Sequence, residues 1–325
     1  VATVIGLFVP VVGGPVSAIV IGAVVGAVIK PGPRLRPGIA FASRSVLQAS
    51  IVVLGTGLSL RQIGQVGAES LPVMLGTLAV ALAGAALLGR LIGVRGPVQI
   101  LIGVGTAICG ASAIAASSAV IRAKDSQIVY AVGTIFAFNI VAVLIFPPLG
   151  HLLGLAPHPF GLWAGTAIND TSSVVAAAYA YSPEAGQYAI VVKLTRTLML
   201  IPIVVVLAAW TARHETPDPA NPTPDGRRPA QARGPLPWRR MIPPFLIGFL
   251  LAATLRSLGV IPESWVSPLQ HLGTFLISTA LAGIGLSLSP AAIRTAGVRP
   301  LLLGGTLWVL VALSSLGLQA VSGTL

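Results

Sequence analysis

The sequence predicts an all-α polytopic membrane protein of about ten to eleven transmembrane helices, with the inverted-repeat fold of a secondary transporter and discontinuous helices at the midplane. Three observations point there. Hydrophobic residues make up 55% of the 325 positions and charged residues 9%, with a mean hydropathy of +0.92, which leaves too few ionic groups to solvate a globule of this size. Pro, Gly and charge clusters cut the chain into apolar runs of about 20 residues, the length that spans a hydrocarbon core about 30 Å thick. A six-residue motif also recurs near the two ends of the chain.

Taken in order, Val1 to Val12 read as the end of a longer helix rather than a signal peptide, since no charged n-region precedes them. Ten candidate spans follow, at 15–29, 38–60, 70–93, 97–121, 127–149, 160–182, 187–210, 241–258, 267–289 and 299–322. Between the seventh and eighth, residues 211–240 are dense in Pro and Arg and bury too little apolar surface to offset their ordering entropy. They read as a flexible cytoplasmic linker between a first transmembrane block, 1–210, and a second, 241–325.

The net charge of +12 resides mainly in the connections. One face takes thirteen cations: Lys30, Arg34, Arg36, Arg90, Arg95, Arg213, Arg227, Arg228, Arg233, Arg239, Arg240, Arg294 and Arg299. The other takes four: Arg61, Arg122, Lys124 and Arg256. The positive-inside rule places the first face in the cytoplasm and the C-terminus outside. No basic stripe with interleaved aromatics suggests nucleic acid. The lone Cys109 lies in an apolar run, so there is no disulfide framework.

Gly55-Thr-Gly-Leu-Ser-Leu60 recurs as Gly283-Ile-Gly-Leu-Ser-Leu288, with Pro72 matching Pro300 and Gly76 matching Gly304. An odd number of crossings separates the copies, as in an inverted repeat. Gly105-Thr-Ala-Ile108 recurs as Gly165-Thr-Ala-Ile168, but two crossings separate these copies, so they should run in the same direction.

Asp170 is the one acid inside an apolar run, and Lys193 and Arg196 are the two cations well within one. A charge at the bilayer centre costs at least about 2.5–3.5 kcal/mol, so the three read as a polar site. Counted at 1.5 Å per residue, Cys109, Gly110 and Ser112 lie roughly 18 Å deep, and Asn169, Asp170, Thr171, Ser172 and Ser173 about 15 Å, from the same face. Lys193 and Arg196 come from the opposite face, roughly 9 to 14 Å in. Gly and short polar residues disfavour continuous helix at these points, and an opened helix offers N–H groups to an anion. These ten residues are the candidate substrate-binding set. The plainer reading of Asp170 is an ion pair with Lys193 or Arg196. Ser112, Ser117 and Ser118 also suit small-residue packing, and Cys109 a buried hydrophobe.

The runs Gly105–Ala116, Gly165–Ala178 and Lys193–Pro202 resemble those of the bacterial membrane-protein family known as sulfate exporters, a name given largely by inference. The resemblance implies an inner-membrane protein of about eleven helices, related to cation–proton antiporters and anion transporters. Some relatives carry a His-acid pair where this chain has Asn169-Asp170, so a proton carrier is missing here.

The leading expectation is therefore a secondary transporter of a small oxyanion, sulfate or a related sulfur oxyanion. The alternatives are a carrier of sulfonates or carboxylates coupled to Na⁺ or H⁺ through Asp170, and an anion channel. An ATP motor finds no Walker A run, and an intramembrane hydrolase finds no His or second acid at the depth of Ser112 or Ser172. Expected partners are the lipid bilayer, the anion, a coupling ion and a second copy of the chain, with no cofactor or metal.

Overall fold

A computed structural model describes residues 13–29, 32, 34–214, 243–287 and 297–325. The Val1–Val12 remnant, positions 215–240 of the linker and Leu288 of the second echo lie outside these residues. Every regular element described is helical. In chain order they are α1 Gly13–Ile29, α2 Arg36–Gly55 with a π-helical stretch at Ala42–Val46, α3 Leu60–Ile92, α4 Pro97–Ala107 and α5 Ala111–Val120. Then come α6 Asp125–Leu152, α7 Pro157–Ala167, α8 Thr171–Tyr181, α9 Pro183–Leu198 and α10 Leu200–His214. The chain closes with α11 Pro244–Ser257, α12 Glu263–Ser287 and α13 Val298–Ser322.

Six helical stretches among the described residues are long and apolar enough to cross a membrane: α2, α3, α6, the run Pro183–Thr211 through α9 and α10, α12 and α13. This is a helical membrane protein. Local sequence explains the boundaries. Ser59 and Gln62 form a capping box that starts α3, and Gly93 ends it at φ +80°. Ser182 accepts from the Ala185 N–H, and Pro183 opens α9 at its first turn.

The predicted spans 97–121 and 160–182 are not single crossings, because each folds back on itself. A Cβ on Gly105 would stand 3.0 Å from the Ile114 side chain, whereas nine residues of straight helix separate their ends by about 13 Å. The Phe160 and Tyr181 rings stack with centroids 3.8 Å apart, and the Tyr181 hydroxyl donates to the Leu155 carbonyl oxygen. In a straight helix Phe160 and Tyr181 would lie about 30 Å apart. So α4–α5 and α7–α8 are helical hairpins, each with its base at one end and its tip in the interior.

The 28-residue α6, about 42 Å long, joins the base of the first hairpin to the base of the second. The hairpins therefore enter from opposite ends of the molecule, which corrects the expectation that Cys109–Ser112 and Asn169–Ser173 share a side. Each arm of about 16 Å carries its tip toward the middle of α6. There the Asp170 N–H donates to Asn139 Oδ1 at 3.3 Å.

Helices before and after residues 211–240 interleave. Both hairpins pack with α3, α6 and α13, and α9 packs along the second of them, while α1 packs with α12 and α2 with both α11 and α12. The α1–α12 seam is very close. A Cβ on Gly285 would collide with the Ile19 carbonyl oxygen, and one on Gly22 with that of Ala282. Gly283 and Gly285 of the sequence echo thus serve close helix approach, as small residues do in membranes. Val175, Ala176 and Ile190 of the hairpin group pack in one apolar cluster with Ile51, Phe249 and Ile277 of the other.

The hairpins make a topological prediction. Cysteines replacing Arg95 and Lys124, at the base of the first hairpin, will react with an impermeant maleimide from one face of the membrane. Cysteines replacing Ala156 and Glu184 will react from the other. Labelling of Arg95→Cys and Lys124→Cys from opposite faces would mean that α4–α5 crosses.

Candidate functional site at the hairpin tips

The first tip is Ile108–Gly110. Gly110 takes φ +66°, a conformation that L side chains rarely adopt, and its amide closes the turn by donating to the Gly105 carbonyl at 2.9 Å. The second tip is Ile168–Asp170, extended at Ile168 and at Asp170, the N-cap of α8. The tips touch, since a Cβ on Gly110 would lie 3.6 Å from the Asp170 nitrogen and 3.7 Å from the Asn169 carbonyl carbon.

Lys193 fastens both tips. Its Nζ donates to the Ile108 carbonyl at 2.9 Å and the Ile168 carbonyl at 2.7 Å, and the side chain is 0% exposed. These are the orphan carbonyls at the C-terminal ends of α4 and α7, the negative ends of two half-helix dipoles. Arg196, one turn further along α9, donates from Nε to the Ala107 carbonyl at 2.6 Å. It too is 0% exposed, and its Nη1 and Nη2 have no hydrogen-bond partner. A guanidinium carries five donors, so the outer fork of this one is buried and unspent.

Asp170 makes no ion pair with either cation. Its Oδ2 accepts the Ser172 and Ser173 amides at 3.0 and 3.4 Å and the Ser172 hydroxyl, which caps α8. Among the described residues Arg256 pairs with Glu263 at 2.8 Å, and His158 Nε2 lies 3.0 Å from Glu184 near the base of the second hairpin. Asp170→Ala should therefore cost about 0.5–2 kcal/mol through the lost cap, and Asp170→Asn much less. Denaturant unfolding of the detergent-solubilised protein checks this.

The α5 end of the first tip differs, because Gly110 as N-cap brings no side chain. Beside it, Cys109 and Ser112 of the first hairpin, Thr171 of the second, Thr197, Leu200, Pro243 and Phe245 line a cavity of about 30 Å³. That holds a water or two. It opens where the hairpin group meets α11. The Cys109 thiol is also within electrostatic range of Lys193, Asp170 and Arg196.

All ten sequence-predicted residues thus sit on the two tips, their first turns, or α9 against them. Three contributors were missed. Asn139 receives the Asp170 amide and leaves its own Nδ2 buried without a partner. Its signal was an isolated amide in the apolar run of α6. Thr197 and Phe245 line the cavity and had no comparable signal.

The family described as "Conserved hypothetical protein 698" matches residues 1–304 of the chain. A protein of Streptococcus pneumoniae strain R6 named "UPF0324 membrane protein" is 39% identical over 327 residues, covering 98% of this chain and 93% of its own. One of Fusobacterium nucleatum with the same family name is 38% identical over 339 residues, covering 98% and 94%. A third, of Streptococcus agalactiae, is 39% identical over 329 residues, covering 98% and 93%. These names carry a membrane location and no substrate. No solved structure matches the chain.

Proposed function

Since the chain belongs to the UPF0324 membrane protein family, also described as Conserved hypothetical protein 698, and holds a buried guanidinium fork at two opposed hairpin tips, we propose that it is a secondary transporter of a small oxyanion. The observation that carries this reading is the unpartnered Nη1 and Nη2 of Arg196. Leaving charged donors buried and unpaired is costly, and Arg suits carboxylate-like and tetrahedral oxyanions through two parallel bonds. The resemblance to sulfate exporters puts sulfate and related sulfur oxyanions first among the ligands to test.

The hairpins also support the inverted repeat. Because they enter from opposite ends, the Gly-Thr-Ala-Ile echo relates oppositely oriented segments, as the Gly-x-Gly-Leu-Ser-Leu echo does. Removing two crossings keeps the C-terminus outside and moves Arg122 and Lys124 to the cytoplasmic face. The cation count becomes fifteen against two, with only Arg61 and Arg256 on the outer face. An inner-membrane protein with a cytoplasmic 211–240 segment fits that bias. Alternating access would follow from movement of the hairpin group against α1, α2, α11 and α12 across their shared apolar cluster.

The second reading, a Na⁺- or H⁺-coupled carrier of sulfonates or carboxylates, draws on Asp170. Its side chain accepts from the first turn of α8 through Oδ2, which leaves Oδ1 for a coupling ion. A channel and a hydrolase fit less well, the first because the tips are packed against each other, the second because Ser172 bonds its own cap rather than a general base. Purified protein in liposomes tests the proposal. A carrier takes up labelled anion saturably and faster against internal unlabelled anion, whereas uptake that neither saturates nor responds to counter-anion would refute it.

A further inference from the structure

We infer that the site at the hairpin tips is built for one negative charge, so that its substrate class is the monovalent oxyanion, such as a sulfonate, hydrogensulfite, nitrate or monocarboxylate, rather than the sulfate dianion. The inference rests on the anion-carrier reading and narrows it. Four half-helix ends meet at the tips: the C-terminal ends of α4 and α7 and the N-terminal ends of α5 and α8. Each carries about half a charge, two negative and two positive, so their sum is near zero. Three charged side chains are added to that neutral frame.

Lys193 lies on both negative ends through the Ile108 and Ile168 carbonyls, which favours its ammonium form. Asp170 lies on one positive end through the first-turn amides of α8. Arg196 is the remainder. Its Nη1 and Nη2 are unpartnered, and its Nε is bonded to Ala107, the residue where α4 ends and the turn to α5 begins. At the N-terminus of α5 the N-cap is Gly110, which brings no charged or polar side chain of its own. The unspent charge therefore belongs to the tip whose N-cap brings no side chain.

Among the described residues, Lys193 and Arg196 are the only charged side chains that are buried; Glu69, Arg44 and Glu184 are exposed. The empty assembly thus carries one uncompensated positive charge. A monoanion accepting the Arg196 fork makes it neutral. A dianion leaves an unpaired negative charge in a medium that solvates it poorly, unless a cation accompanies it.

The test is thermal unfolding of the purified full-length protein at pH 8, where sulfate is fully dianionic. Methanesulfonate, nitrate and formate are compared with sulfate and succinate at equal ionic strength, all as N-methylglucamine salts so that no Na⁺ accompanies a dianion. At least one monoanion should raise Tm saturably, at concentrations about tenfold or more below those needed of sulfate or succinate. Arg196→Gln should abolish the response, and Arg196→Lys, which keeps the charge without the fork, should weaken it. Sulfate or succinate acting as strongly as the best monoanion would overturn the inference and leave the carrier reading standing. Silence toward every anion, or a response unchanged in Arg196→Gln, would overturn both.

Discussion

Lys193→Met is expected to destabilise the folded protein by about 3–5 kcal/mol, the largest effect of any single change at the tips. Two hydrogen bonds from a charged donor are lost, each contributing about 1.5–3 kcal/mol, and two buried carbonyls at helix ends are left without partners. Because the same nitrogen holds both tips, their contact at Gly110 and Asp170 loosens as well. Adding Asp170→Asn should not restore the loss, since Asp170 is bonded to its own helix and not to Lys193. Equilibrium unfolding of the single and double variants decides the matter. Recovery in the double variant would mean that the two charges pair, as the sequence alone allowed.

Arg196→Gln should do the opposite to the empty protein. It removes a buried guanidinium of which only Nε is satisfied, so stability without ligand should hold or rise. What it should lose is anion binding, by about 2–5 kcal/mol, which is roughly 30-fold or more in affinity. Ligand-free unfolding measured beside an anion titration separates the two cations by role: Lys193 holds the tips together and Arg196 meets the substrate. A variant that unfolds readily and still binds anion would exchange those roles.

The location of the site was legible in the sequence because membrane burial makes charge rare. Asp170, Lys193 and Arg196 stood out against apolar runs, and Gly110 and Asn169–Ser173 marked breaks by their backbone preferences alone. The reversal of direction was not legible. A helix that breaks and continues and one that breaks and returns use the same residue types, and each hairpin has about the total length of one crossing. The difference lies in contacts such as Gly105 with Ile114 and Phe160 with Tyr181. The two echoes, which imply opposite and equal directions when every apolar run is a crossing, are the one sign in the sequence of a reversal inside a run.

The partners of the charges were illegible for a related reason. Lys193 and Arg196 bond main-chain carbonyls, which every residue carries, so no side-chain pattern announces them. Asp170 beside Ser172 and Ser173, by contrast, reads as an N-cap once the break is placed.

Counterflow in liposomes, with wild type and Arg196→Gln reconstituted at matched incorporation and the same labelled anion offered outside, decides whether the Arg196 fork carries substrate. Wild type should show saturable uptake, accelerated by unlabelled anion inside, and Arg196→Gln uptake no greater than that of empty vesicles. Full counterflow by Arg196→Gln would contradict that role.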